Sequence, residues 1–178
     1  MRIFDVTIRG IRPLLQHRFP EETADDQVQK RTGAHDASGE SELSLYKLSD
    51  GTIYQPAEHI EGALRQAAKD FRIPGKRTRT YSVLVQAQVE VEPRAIPHKI
   101  QSWVTDARSV VLSATRGRIM RYRPRFDEWE LDFRLIVNDE QIPTEVIKEI
   151  LDHAGNHEGI GDYRPKYGRF KVEKLVVR

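Results

Sequence analysis

Two amphipathic helices, flanked and separated by segments that alternate like β-strands, constrain the fold of this 178-residue chain more than any other feature. The helices are predicted at residues 57–71 and after Pro143, where apolar residues recur at helical spacing. The order strand, helix, strand, strand, helix, strand predicts an α+β protein with a ferredoxin-like, RRM-like βαββαβ core. The predicted strands are residues 2–9, 83–91 and 129–137, whose side chains alternate between two faces, and residues 169–177, which close the domain.

A long insertion follows the first strand, and we predict a single domain over residues 1–178 with an insertion or arm at roughly residues 10–52. Within the insertion, residues 23–30 fit a short helix, and Leu43, Leu45 and Leu48 fit a hairpin arm with residues 52–54. Further along, we predict a basic loop at 72–80, an irregular segment at 93–107, strand material at 110–123, and a helix end at Gly155.

Composition and charge exclude several classes of protein. The chain has no cysteine, so it has neither disulfides nor a cysteine-based zinc site. Its N-terminus is typical of a strand rather than a signal peptide, and no apolar run approaches the ~20 residues of a membrane helix. We therefore expect a cytoplasmic protein without a membrane partner. The net charge of +2 predicts little, so the local distribution of charge matters more.

The segment from Thr115 to Phe126, here called the arginine stripe, holds five arginines and no acidic residue. In a strand, alternate arginines share one side, and the guanidinium group suits phosphate. The alternative is a solvated edge strand protected by charge. We favour an anion-binding stripe, because five arginines without nearby acids repel one another.

The segment from Gly159 to Phe170, here called the glycine-rich loop, is the second candidate site. Glycines permit positive φ and close backbone approach, and consecutive exposed N–H groups can cradle a phosphate. The alternative is a tight connection in which the glycines serve only to let the chain turn. Another glycine, Gly62, lies inside the first predicted helix and suggests close approach of another backbone or of a ligand.

Histidines and loop acids are weaker candidates for chemistry. His153 and His157 are four residues apart, but Gly155 between them is expected to end the helix, which favours a solvated helix end over a metal site. Loop carboxylates at Asp25, Asp26 and Asp36 can support phosphodiester cleavage but are more often solvated. We therefore predict no catalytic residue, no metal and no cofactor.

The segment from Tyr54 to Arg65, YQPAEHIEGALR, resembles the proline-to-Gly-x-Leu-Arg helix start of the RAMP superfamily, the repeat-associated proteins that form the backbone of CRISPR effector complexes. The glycine-rich loop resembles the C-terminal loop of the same superfamily. The resemblance implies an RRM-like core that binds an RNA backbone, with the first helix and the loop lining the groove. It also implies a backbone subunit, or a stand-alone or phage-like relative.

The expected function is therefore binding to the backbone of single-stranded nucleic acid, RNA more than DNA, as a homo-oligomer, filament or ribonucleoprotein subunit. The alternatives are an endoribonuclease of the same fold, a single-stranded DNA-binding protein of phage-type recombination, and a scaffold subunit whose stripe meets an acidic protein. The expected nucleic-acid-binding residues are Arg65, Lys76, Arg77, Arg79, Arg116, Arg118, Arg121, Tyr122, Arg123, Arg125, Gly159, Gly161, Tyr163, Arg164, Lys166, Tyr167 and Arg169.

Overall fold

The computed structural model describes residues 1–19, 37–111 and 117–178. The helices are α1 (Ala37–Leu43), α2 (Ala57–Ala67), α3 (Ser82–Gln88) and α4 (Thr144–His153). A 3₁₀ turn, Ala68–Asp70, extends α2, and a π-helical turn, Ala154–Glu158, extends α4. The strands are β1 (Arg2–Gly10), β2 (Leu14–Leu15), β3 (Tyr54–Pro56), β4 (Val89–Glu92), β5 (Ala95–Pro97), β6 (Val104–Val111), β7 (Arg118–Phe126), β8 (Glu130–Val137) and β9 (Phe170–Val177).

The larger sheet has four antiparallel strands in the order β4, β8, β1, β9. Alternate residues of β1 and β8 are buried, as their sequence periodicity predicts. The apolar stripes of α2 and α4 enter the same core through residues such as Ile60, Leu64 and Ile150. The α+β fold with a ferredoxin-like core is confirmed, and α3 is a short addition between α2 and β4.

A second sheet is built by the hairpin of β6 and β7, with β2 on the other edge of β7. The segment predicted as irregular at 93–107 thus contains β5 and the first residues of β6. Of the strand material predicted at 110–123, residues 110–111 belong to β6 and residues 118–123 to β7. Leu14 of β2 and Phe126 of β7 are fully buried in the main core. The hairpin therefore joins the larger sheet through its base.

The strand predicted at residues 83–91 is wrong over its first part, because residues 82–88 form α3. Val89 pairs with Val137, the last residue of β8, so residues before Val89 have no neighbouring strand to pair with. As a helix, the segment buries Val85 and leaves Val83 75% exposed. The alternating valines of this segment therefore do not share one buried face, since Val83 is exposed and Val85 is buried.

The helix end predicted at Gly155 is also wrong, because the chain continues as the π-helical turn and ends at Gly159, where φ is 70°. Gly155 serves packing instead. A Cβ at this position would lie 2.3 Å from the carbonyl oxygen of Phe170 in β9.

The insertion is confirmed in part. Leu48 N–H donates to the carbonyl of Thr52, and Tyr54 N–H donates to that of Tyr46, so a small hairpin forms as predicted. Leu43 instead ends α1 and is 60% exposed. The helix predicted at residues 23–30 lies outside the described residues. Within the described ranges, no helix is long and apolar enough to cross a membrane.

Candidate nucleic-acid interface

A cleft of about 490 Å³ opens between α2 and the glycine-rich loop. Gly62 lies on its α2 wall, and a Cβ added there would meet no atom within 4 Å. No other backbone packs on Gly62, so of the two reasons expected for this glycine, space for a ligand is the one that fits. The lining residues are Gly62, Arg65, Gln66, Glu158, Gly161, Asp162, Tyr163, Arg164 and Pro165.

Internal hydrogen bonds hold the glycine-rich loop in place. Ile160 N–H donates to the carbonyl of Gly168 at 2.9 Å, and Asp162 N–H donates to that of Leu15 at 2.8 Å. The φ angle of Gly168 is 71°, and a Cβ there would lie 1.8 Å from the carbonyl oxygen of Ile160. Several of the loop's N–H groups are therefore used in closing the loop and are not available to the expected phosphate cradle. Phosphate contacts at this loop would come from side chains.

Two arginines of the cleft carry charge that the described residues do not neutralise. Arg65 and Arg164 are exposed, and neither forms an ion pair within those residues. Asp162 is different, because it forms an ion pair with Arg123 at 2.9 Å. Its interaction with His17 and the charge of Arg123 lower the pKa of Asp162, although partial burial opposes them. The cleft thus holds two available cations, the neutralised carboxylate of Asp162, and the carboxylate of Glu158, which forms no ion pair within the described residues.

The arginine stripe does have compensating acids, contrary to the expectation from the sequence. Arg121 pairs with Glu40 at 3.2 Å, and Arg123 pairs with Asp162. Arg125 pairs with both Asp106 and Asp127, at 3.2 and 2.8 Å. Glu40 and Asp162 come from α1 and the glycine-rich loop, which are distant in sequence, and Asp106 comes from β6, the strand that pairs with β7. Mutual repulsion among these three arginines therefore gives no argument for a bound anion.

The remaining stripe residues differ from one another in exposure. Arg118 is exposed and has no ion-pair partner in the described part of the chain, whereas Tyr122 is half-buried. Arg116 lies outside the described residues. Arg118 is therefore the described stripe arginine that stays available to a ligand.

An arginine–tyrosine cluster joins the β6–β7 hairpin to the glycine-rich loop. Arg108 forms an ion pair with Asp106 at 2.5 Å and donates to the hydroxyl of Tyr167. Arg123 lies 5.5 Å from the ring centre of Tyr163. Both tyrosine rings contact the cluster, but Tyr163 remains 42% exposed and lines the cleft. Arg108 was not predicted, because its segment carries no regular sequence pattern.

The basic loop at residues 72–80 adjoins the cleft. Lys76, Arg77 and Arg79 are exposed and form no ion pair within the described ranges. Ser82, which follows the loop, donates to the carbonyl of Arg65 at 3.1 Å, so the base of the loop lies against the cleft wall. In the glycine-rich loop, Lys166 is also exposed, and Arg169 is half-buried.

The histidines are arranged differently from the sequence expectation. The rings of His153 and His157 lie 4.4 Å apart because the π-helical turn carries the helix past Gly155, so the two residues do share a face. No group of three or more potential metal ligands occurs among the described residues.

His59 lies one turn before Gly62 on α2, and its pKa is lowered, first by burial and then by the charge of Arg164.

Several charged residues on or beside the open face of the larger sheet form ion pairs with one another. Arg134 pairs with Glu92 at 3.0 Å, and Lys99 pairs with Asp132 at 2.7 Å. Residues of β1, β8 and β9 on this face carry no aromatic side chain, unlike an RRM sheet that stacks bases. The cleft and the basic loop are therefore better candidates for a nucleic-acid interface than this face.

Comparison with known proteins supports the fold. No family model matches the chain, and no curated protein matches it in sequence. Among solved structures, it is similar to a chain of the Type III-B Cmr-beta complex bound to cognate target RNA, with a TM-score of 0.54 and 17% sequence identity. The match covers 99% of this chain and 60% of that chain. The chain therefore shares its fold with part of a subunit of an RNA-bound complex.

Proposed function

We propose that this chain binds single-stranded RNA through the cleft between α2 and the glycine-rich loop, as a subunit of a ribonucleoprotein. The observation that carries the proposal is the pair of exposed, unneutralised arginines, Arg65 and Arg164, on opposite walls of an open cleft. Arginine donates bidentate hydrogen bonds to phosphate, and an RNA backbone supplies a phosphate at every nucleotide.

The two sequence motifs that resemble the RAMP superfamily form the two walls of this cleft. Gly62 and Arg65 belong to the first motif, and the glycine-rich loop is the second. Together with the structural similarity to a chain of an RNA-bound Cmr-beta complex, this arrangement supports a RAMP-type protein and favours RNA over DNA as the partner.

The bound strand continues, in this proposal, from the cleft over Arg65 to the basic loop. Lys76, Arg77 and Arg79 supply further phosphate contacts there, because they have no acidic partner in the described part of the chain. Arg121, Arg123 and Arg125 mainly position the hairpin and the glycine-rich loop through their ion pairs. Arg118 extends the basic surface on the hairpin.

Fluorescence anisotropy with labelled single-stranded RNA and DNA of equal length, over a range of salt concentrations, tests the proposal. The double variant R65A/R164A is expected to weaken RNA binding and to reduce the log–log salt slope by about 0.7 for each lost phosphate contact. The matched control is R134A/R178A, which removes the same charge from ion pairs of the open sheet face. Equal affinities for the wild-type protein and R65A/R164A would overturn the proposal.

The same samples distinguish the alternative functions. Labelled RNA that is shortened after incubation, with or without divalent metal, indicates an endoribonuclease. Tighter binding to DNA than to RNA indicates a single-stranded DNA-binding protein. Failure to bind either strand leaves the basic surface as a contact for an acidic protein. Light scattering on the free protein and on the RNA complex shows whether RNA is needed for assembly.

A further inference from the structure

The cleft holds a carboxylate that a pure phosphate site would not contain. Glu158 lines the cleft, and its carboxylate forms no ion pair or hydrogen bond within the described residues. Asp162 also lines it, but Arg123 neutralises that carboxylate. A free carboxylate repels phosphate and accepts hydrogen bonds from N–H donors. A nucleobase presents such donors on its edge, whereas the backbone phosphate presents none.

The other lining residues also suit a base. Tyr163 is 42% exposed at the cleft, and exposed aromatic rings bind single-stranded bases by stacking. Gln66 accepts a hydrogen bond from Lys69 through its Oε1 at 2.7 Å, so its Nε2 group remains a donor for a ligand. The volume of about 490 Å³ lies within the range for small-molecule sites. Gly62 leaves the α2 wall without a side chain.

We propose that the cleft accommodates one nucleobase of the bound RNA and favours guanine. The inference rests on the proposed RNA-binding function and adds base selectivity to it. The Watson–Crick edge of guanine carries two adjacent donors, N1–H and the 2-amino group, which match a carboxylate such as Glu158. Its O6 acceptor matches an amide donor such as Gln66 Nε2. Adenine and cytosine each carry one donor beside a ring acceptor, which would face the carboxylate unfavourably, and uracil lacks an amino group.

Binding of oligouridylates of equal length, each with one central guanosine, inosine, adenosine or cytidine, tests base selectivity. Guanosine is expected to tighten binding about tenfold relative to the all-uridine strand, in line with the discrimination from a good bidentate contact. Inosine, which lacks the 2-amino group, is expected to give an intermediate affinity. Equal affinity for all these strands would overturn the base-selective cleft while leaving RNA binding intact. Failure to bind any strand would overturn both proposals.

The variant E158Q is expected to lose the guanosine advantage while still binding oligouridylate, because one of the two acceptor oxygens is replaced by an NH2 donor that faces a guanine N–H unfavourably. The matched control is E149Q on the exposed side of α4, which makes the same charge change outside the cleft. The control is expected to keep the full preference. If E158Q and E149Q retain the same preference for guanosine, Glu158 does not read the base and the inference fails.

Discussion

Gly62 lies in the middle of α2, where an added Cβ would meet no atom within 4 Å. A glycine inside a helix costs about 1 kcal/mol relative to alanine. We therefore expect Gly62→Ala to raise the free energy of unfolding by about 1 kcal/mol, as measured by chemical denaturation. The larger side chain of Gly62→Leu fills the cleft and is expected to weaken RNA binding while the protein remains folded.

The pair of variants separates stability from binding. If Gly62→Leu binds RNA as tightly as the wild-type protein, the cleft is not the binding site. If Gly62→Ala instead lowers the free energy of unfolding, the added Cβ meets other atoms, and the space beside α2 is not open in solution.

His98 predicts how stability depends on pH. Burial lowers its pKa from 6.5 to about 4, so the folded protein keeps this histidine neutral where the unfolded chain takes up a proton. The unfolded state thus binds more protons between these two pKa values, and stability falls as the pH is lowered through that window. We expect a loss of about 2 kcal/mol between pH 7 and pH 5, measured by denaturant unfolding.

The control for this prediction is His98→Gln, which removes the titrating group. Its free energy of unfolding is expected to vary less over the same pH range, whatever its value at pH 7. His59 contributes with the same sign, since its pKa is also lowered by burial and by Arg164. A variant His98→Gln with the full wild-type pH dependence would contradict the assignment to His98.

Among the structural elements, the glycine-rich loop is held by close backbone contacts that a matched pair of glycines can test. Gly168 and Gly75 have similar φ angles, 71° and 73°, but only Gly168 is crowded. Alanine in this backbone region costs about 1–2 kcal/mol. We expect Gly75→Ala to lose about that much stability and Gly168→Ala clearly more, in thermal or chemical unfolding. Equal losses would show that the loop does not close as described.

The arginine stripe combines structural and exposed residues, so two of its members should behave differently. Arg123 is 8% exposed and paired with Asp162, so Arg123→Ala is expected to cost about 2 kcal/mol of stability. Arg118→Ala is expected to change stability by less than about 0.5 kcal/mol and to reduce the salt dependence of RNA binding instead. Denaturation and anisotropy on both variants check this, and equal losses of stability would contradict it.

Periodicity predicted the elements whose burial follows a single face. Strands β1 and β8 and helices α2 and α4 each bury one face against a common core, so their patterns are regular. Helix α3 was missed because its valines alternate as in a strand. Pairing of β4 with β8 begins only at Val89, because Val89 lies opposite Val137, the last residue of β8. Strand β6 was missed because it lies at the edge of the hairpin sheet and buries mainly Asp106.

The sequence indicated which segments form the candidate cleft, but it did not indicate which arginines are neutralised by acids. The two motifs that form the cleft walls stand out in the sequence, and so does Gly62. The partners of the arginines do not, because Glu40, Asp106 and Asp162 reach the stripe only through the packing of α1, β6 and the glycine-rich loop on β7. The proximity of His153 and His157 likewise depends on the π-helical turn.

Across the whole molecule, charge is divided between two different surfaces. On the open face of the larger sheet, Lys99, Arg134 and Arg178 are paired with acids, whereas Arg9 and Lys174 form no ion pair within the described residues. Around the cleft and the basic loop, Arg65, Arg164 and Lys76 have no acidic partner in the described residues. A net charge of only +2 therefore does not argue against nucleic-acid binding, because several cations without an acidic partner in the described residues lie around the cleft and the basic loop.

The two sheets are expected to unfold as one unit. The hairpin sheet joins the larger sheet through Leu14 and Phe126, which are fully buried in the common core. The two tryptophans report on different parts of the molecule. Trp129 is buried against Phe170 at the end of the larger sheet, and Trp103 is half-buried just before β6. A single domain with one shared core predicts one cooperative transition for both.

Denaturant titrations of Trp103→Phe and Trp129→Phe, each followed by the fluorescence of the remaining tryptophan and by far-ultraviolet circular dichroism, test this expectation. For each variant the two probes should give the same midpoint and the same slope. If Trp103 reports a transition at lower denaturant than the circular dichroism, the hairpin sheet unfolds on its own and the chain contains two cooperative units. Coincident transitions would mean that the hairpin holds the glycine-rich loop as part of the same folded core.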